Sequence, residues 1–273
     1  MVRKRLVLIA ATALSLTGWG ALGDIHGRVT PEVRTTYISL GKIVEDRPMQ
    51  ITSAKGNIDL DLLGRLGVSY WGVTSLSDRK EYVHRHFTYF NDIGPYLGRD
   101  FELAEGWTLK SELSRQWSLF RGFEPAYHAS ERTLHWSQLD QELANPYLTP
   151  YWRLRKVFKP IDLLYFKAGV RHPFDLGHGF FFTPAVQVEG GDSTNNQRRL
   201  GRRPNGRNHP EGIASLTFRL ELGWKATQNL TAFAAVDRYD IVSRTGRESV
   251  EASRDPCAAK GITVGSVGLR ICF

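Results

Sequence analysis

The sequence predicts an all-β chain: a transmembrane antiparallel up-and-down β-barrel of about 12 strands, within a range of roughly 10 to 14. Three observations predict it. Residues Ile262 to Phe273 alternate strictly, with Val267, Leu269, Ile271 and Phe273 on one side and Ser266, Gly268, Arg270 and Cys272 on the other. Period two means a strand with one apolar face. Segments of the same pattern recur along the chain, joined by alternating short and long connections. Their second face carries ionised side chains, which a dry core holds only at great cost and a hydrated lumen accommodates.

Met1 to Gly23 reads as a secretory signal peptide, with a basic start (Arg3, Lys4, Arg5), an apolar centre (Leu6 to Leu16) and a small-x-small cleavage site at Ala21-Leu22-Gly23. The alternative is a membrane anchor, but the apolar stretch of about 15 residues is short against the ~20 that a spanning helix needs. Residues 24–273 then form one barrel domain, with no composition shift marking a linker and no long repeat. The mean hydropathy of −0.31 suits a barrel in which alternate residues alone meet lipid. Aromatic residues at 11% and 26 glycines suit strands and interfacial girdles. Removing Arg3, Lys4 and Arg5 with the leader lowers the formal charge from +8 to +5, which is too modest to imply a nucleic-acid partner.

The strands follow in order. Val33 to Gly41 is the first. Ile58 to Ser75 sets Ile58, Leu60, Leu62, Leu66, Val68 and Tyr70 against Asp59, Asp61, Arg65 and Ser69. Glu81 to Phe90 and Tyr96 to Glu105 come next, then Thr108 to Phe120, whose apolar face is interrupted by Arg115. Thr133 to Leu143 and Tyr147 to Phe158 flank the turn pair Asn145-Pro146. Leu163 to Phe174 and Gly179 to Glu189 precede Gly212 to Trp224, the cleanest alternation in the chain. Leu230 to Ser243 pairs with it, and Ile262 to Phe273 ends the set.

Parity tests this order. If Phe273 lies on the periplasmic side, the long connections 42–57, 121–132, 190–211 and 244–261 fall outside. The short ones at 105–106, 145–146, 175–178 and 225–229 fall inside, which is the asymmetry of outer barrels; the short 159–162 segment is the exception. The same count collects Trp107, Tyr147, Phe174, Phe180, Trp224 and Phe273 on one rim, where amphipathic rings favour an interface. A soluble barrel with inverted faces would bury Lys110, Glu112, Lys167, Arg171, Arg219, Glu221 and Arg270 in its core.

The residues expected to line a pore are Lys110, Glu112, Lys167, Arg171, Arg219, Glu221, Asp237 and Arg270. They form either an electrostatic filter or a polar lining without selectivity. The segment Gln197 to His209 carries Arg198, Arg199, Arg202, Arg203 and Arg207 among turn formers. Such a loop is expected to make no core. Its arginines either grip lipopolysaccharide phosphates, fold inward to attract anions, or stay a solvated charged loop. Cys272 and Cys257 are separated by the length of the last strand, so no disulfide is expected. His84-Arg85-His86 lacks a carboxylate or Cys cluster, so no metal is expected, and no phosphate loop or dinucleotide fingerprint implies a cofactor.

The alternation ending on Phe273 resembles the C-terminal signature of Gram-negative outer-membrane barrel proteins. The resemblance implies insertion by the barrel-assembly machinery through Val267, Leu269, Ile271 and Phe273, and residence in the outer membrane with its lipid and lipopolysaccharide. Stretches between Leu143 and Glu189 (ANPYLTPYWRL, LLYFKAGVRHPF, GFFFTPAVQV) look like segments of uncharacterised Gram-negative barrels and imply architecture without an activity. His135-Trp136-Ser137 with Asn145 resembles the His-x-Ser and Asn arrangement of outer-membrane phospholipases. That resemblance implies Ser137 as nucleophile, His135 as base and Asn145 as its orienter; the flanking residues do not match that family. The expected function is a passive, porin-like channel for small hydrophilic solutes. The other readings are a surface-binding barrel using the arginine loop and a lipid-acting hydrolase.

Overall fold

The computed structural model describes residues 25–39, 42–45, 48–60, 64–76, 89–121, 133–158, 162–200, 203–252 and 260–273. The expected leader, His84, His86, Arg202 and Cys257 lie outside these residues. The strands are β1 (Ile25–Arg34), β2 (Tyr37–Ser39), β3 (Lys42–Glu45), β4 (Met49–Leu60), β5 (Gly64–Ser75), β6 (Tyr89–Ala104), β7 (Trp107–Arg121) and β8 (Thr133–Ala144). They continue as β9 (Thr149–Val157), β10 (Leu163–Arg171), β11 (Phe174–Gly177), β12 (Phe180–Gly191), β13 (Gly212–Lys225), β14 (Leu230–Ile241) and β15 (Gly261–Cys272). Two helices, α1 (Ser193–Leu200) and α2 (Arg244–Ala252), sit in the long connections before β13 and β15.

Among the described residues, twelve strands close into an antiparallel barrel, each paired with its neighbours in sequence, and β15 returns to pair with β1. β11 is an extra short strand beyond β10 that pairs with β12, and β2 and β3 form a hairpin of their own. At the seam Val33 faces Val267 and Val29 faces Ile271. Gly27 and Phe273 exchange backbone hydrogen bonds of 2.8 and 3.0 Å. Closure leaves none of these twelve strands as an edge, which is what a spanning sheet requires.

The expected strands from Thr108 onward are observed to within a few residues, while the first third of the chain is arranged differently. The expected single strand Ile58 to Ser75 is the end of β4 plus β5, which pair antiparallel from Leu60 and Gly64 onward. Gly64, at φ 83°, makes the reversal in a region side chains disfavour. Ile58 faces Leu66 across this hairpin, so even-numbered residues point outward in both arms. The apolar period therefore runs through the turn in unbroken phase and conceals it. The expected outer connection 42–57 consequently contains most of β4. Conversely, Tyr96 to Glu105 and the end of Glu81 to Phe90 belong to one strand, β6, which runs through Gly94-Pro95. Pro95 faces outward where the ladder to β7 is interrupted between the Ile93–Trp117 and Tyr96–Ser114 pairs, a setting that tolerates a residue without an N–H.

The first barrel strand is Ile25–Arg34 rather than Val33 to Gly41. Its outward face reads Ile25, Gly27, Val29, Pro31 and Val33, so glycine and proline thin the apolar signal. The six ring residues expected on one rim do lie exposed at the short-turn end, with Phe180 stacked on Trp224 at 6.1 Å. Leu66, Val68, Leu113, Phe218, Leu220 and Val267 are exposed on the wall above them.

Candidate functional site

Cross-strand partners share a sheet face, so the registers assign every side chain to the inside or the outside. The contacts identify the inside. Lys55 on β4 donates to both oxygens of Glu112 on β7 at 2.6 and 2.7 Å, although β5 and β6 lie between. Strands spaced ~4.8 Å apart put these residues ~14 Å apart along the sheet, and side chains can span that only across its concave face. Tyr96 Oη donates to Asn57 over β5 at 3.0 Å, and Gln116 Nε2 donates to Ser69 over β6 at 2.6 Å, for the same reason.

All eight residues expected to line a pore fall on this concave face. Asp237–Arg219–Glu221–Arg270 is a continuous chain over β13, β14 and β15: Arg219 donates to Asp237 at 2.9 Å and to Glu221 at 3.1 Å, and Arg270 donates to Glu221 at 2.7 Å. Arg171 donates to Glu142 across β9. Lys110 shares a register position with Glu142 on β8 and Asp100 on β6, and Lys167 with Arg153 and Glu189. Lys167 lies 5.8 Å from the centre of the Tyr151 ring, and Arg171 lies 5.5 Å from it.

Sequence reasoning passed over Lys55, Asp140, Glu142, Arg153 and Arg155, which complete this lining. Arg153 donates to Asp140 at 2.5 Å, its direct register partner. Arg155 donates to Gln138 at 2.8 Å and lies over the Trp136 ring. The alternation Tyr151-x-Arg153-x-Arg155 was the available signal.

The concave face is not polar throughout. At the long-connection end it carries Met49, Ile51 and Val73 on one side, Trp136, Val157 and Leu163 on another, and Tyr239, Ile241, Ile262 and Val264 on a third, all buried. Its third side receives α1 and α2. Leu200, at the end of α1, packs with Ala214, Tyr239 and Ile241, and Val250 of α2 joins them. The expectation that the arginine segment makes no core is thereby corrected. Asp192 caps α1 by accepting from Asn195 N at 2.8 Å and ties it to β10 by accepting from Leu164 N at 2.6 Å. Asn196 donates to the carbonyls of Pro210 and Gly212 at 2.8 and 3.2 Å. His209 lies between Ser249 and Thr245 of α2, at 3.1 and 3.4 Å. Arg198 and Arg199 belong to α1, Arg203 donates to the Asn208 carbonyl, and Arg207 is exposed. The helices α1 and α2 thus pack against one side of the collar, and the ionised residues lie below it.

The triad suggested by the phospholipase resemblance is not assembled. His135 and Ser137 share a face, as expected, but it is the outer one: Ser137 faces Arg115 and accepts from its Nη1 at 3.1 Å. His135 stacks on Phe158 at 5.6 Å. Asn145 sits in the turn at the opposite rim, where its Oδ1 accepts from Tyr147 N and Leu148 N at 3.0 Å each. Eight residues of strand place it roughly 26 Å from Ser137.

A closed barrel with an apolar outer wall, one aromatic rim and an ionised interior defines a transmembrane β-barrel of the outer-membrane kind. No family model matches the chain, and no curated protein sequence matches it. Among solved structures it is similar to the KdgM porin in complex with disordered oligogalacturonate, at 12% identity and a TM-score of 0.47 over 91% of this chain and 99% of that one. It is also similar to an outer membrane channel from Pseudomonas putida F1, at 10% identity and 0.49 over 92% and 96%. A third is LpxR from Salmonella typhimurium, at 9% identity and 0.48 over 90% and 99%. At these identities the likeness assigns no activity.

Proposed function

We propose that the protein is a passive, porin-like channel of the outer membrane for small hydrophilic solutes, with the short-turn rim in the periplasm. The observation that carries this reading is the two-signed lining of the concave face. Arg153, Arg219 and Arg270 keep about a quarter to a third of their side-chain surface accessible while paired to carboxylates, so they are solvated rather than sealed in a dry core. Lys110, Glu112, Lys167, Arg171, Arg219, Glu221, Asp237 and Arg270 act here as an electrostatic filter, and solutes enter past the mouth that α1 and α2 narrow. A barrel of 12 strands is narrower than the broad 16–18-stranded porins, which favours small solutes.

Purified protein reconstituted in planar bilayers tests this. Stable conductance steps are expected, with a measurable ratio of anion to cation permeability. Lys167→Glu, which reverses a charge on the lining, shifts that ratio toward cations. A silent bilayer containing correctly folded protein refutes the channel reading.

A further inference from the structure

We propose that the outer wall over β7, β8 and β9 holds the phosphorylated headgroup of an outer-leaflet lipid, with Arg115 gripping the phosphate. This inference uses the barrel's placement in the membrane and is independent of whether its lumen conducts.

Arg115 lies on the convex face between Leu113 and Trp117, both exposed to the lipid side. Register continues the row from Arg115 to Ser137 and from Ser137 to Lys156, so three polar residues, two of them cationic, cross three strands at one height. The other outward polar row on these strands, Ser111 and Gln141 with the Trp152 ring nitrogen, is neutral and satisfied within itself. The guanidinium donates to Ser137 Oγ at 3.1 Å and lies 4.4 Å from the centre of the Phe158 ring. Both contacts hold it in place, and neither supplies a negative charge. Lys156 already pairs with Asp162 at 2.6 Å. Among the described residues Arg115 has no carboxylate partner, and a cation facing hydrocarbon is costly without a counter-charge.

The position resolves this. On β9 the row meets Lys156, one residue from the end of the strand, nine residues beyond Tyr147 on the aromatic rim. At ~3.3 Å per residue on a strand tilted by ~40°, that is a height of ~23 Å, close to the ~25 Å of the apolar band. Arg115 therefore lies at the far interface, where the phosphates of outer-leaflet glycolipid sit. The guanidinium presents the planar fork that suits a phosphate. His135, stacked on Phe158 at 5.6 Å, offers a second polar group beside it. His135 and Ser137, read from the sequence as catalytic, acquire a binding role instead.

Native mass spectrometry of the detergent-solubilised full chain tests the assignment, with bisphosphorylated hexa-acyl lipid A as the probe and the same lipid stripped of its phosphates as control. The intact barrel is expected to retain one bisphosphorylated molecule and to release the stripped one. Arg115→Gln weakens retention about tenfold, and Arg115→Lys preserves part of it, because charge remains while the fork is lost. Ser137→Ala, which leaves the wall intact, weakens it severalfold and decides the matter should Arg115→Gln fail to fold. Equal retention of both lipids overturns the proposal, as does unchanged retention by folded Arg115→Gln. Loss of lipid on replacing Arg203 and Arg207 by Ser, with no effect of Arg115→Gln, moves the contact to the loop and also overturns it. A lipid-free dimer that buries Arg115 does the same. Conductance of Arg115→Gln equals that of the wild type, so failure here and failure of the channel reading are separately visible.

Discussion

Replacing Glu221 by Gln removes a negative charge that two arginines of the concave face share. Its carboxylate accepts from Arg270 Nη2 at 2.7 Å on both oxygens and from Arg219 Nη2 at 3.1 Å. Arg219 keeps Asp237, at 2.9 and 3.2 Å, so Arg270 is the group left stranded, with the Phe233 ring 4.4 Å away. The Glu221 side chain is 8% exposed and that of Arg270 is 29% exposed. Exposed pairs contribute ~0–1 kcal/mol, whereas stranding a charge in a dry interior costs ~3–5 kcal/mol; this half-wet site falls between, at about 2 kcal/mol. Arg270→Gln is expected to destabilise by a similar amount, because it strands part of Glu221 in turn. The double variant should lose less than the two singles combined, with a coupling of about 1–2 kcal/mol. Reversible urea unfolding in lipid vesicles, followed by tryptophan fluorescence, reads these differences directly. Single losses below ~0.5 kcal/mol that simply add would refute the claim that the lining is an electrostatically coupled chain.

Two further outcomes are expected. Leu200→Ser weakens the docking of α1 on Ala214, Tyr239 and Ile241 by about 2 kcal/mol, and is read as larger single-channel conductance and faster proteolysis within α1. Unchanged conductance and cleavage would mean that α1 does not narrow the mouth. Gly27→Leu places a Cβ 2.3 Å from Phe273 Cζ and 2.5 Å from Cε2, so the ring must leave the seam where β1 meets β15. The expected cost is about 1–3 kcal/mol, seen as a smaller folded, heat-modifiable fraction on gels; a folded yield equal to the wild type would show that the ring is not needed there.

From Thr108 onward the strands were legible because along most of their length one face is apolar and outward and the other polar and inward, and period two records both. β13 is the clearest case, with Phe218, Leu220, Leu222 and Trp224 outward and Arg219 and Glu221 inward. Local rules misled the reading where the ladder overrode them. Gly94-Pro95 has turn chemistry and lies within β6, while the reversal between Leu60 and Gly64 hides in a continuous apolar phase.

The inward position of the ionised residues was legible one by one, since their charge and their strand face are both written in the sequence. Their partners were not. Lys55 meets Glu112, and Arg171 meets Glu142, across intervening strands, and such contacts exist only once the sheet curves and closes. The apolar collar shows the same limit. Met49, Val73, Tyr239 and Ile262 occupy inward positions by register, in breach of the rule that the inner face is polar. Alternation cannot show that α1 and α2 will pack there. By itself, the sequence determined a membrane barrel of about 12 strands, because solvent on either side of a single sheet imposes a two-residue period. The tertiary structure alone decided which charges meet, which collar α1 and α2 dock on and what surrounds Arg115, because those depend on curvature and closure that no local period encodes.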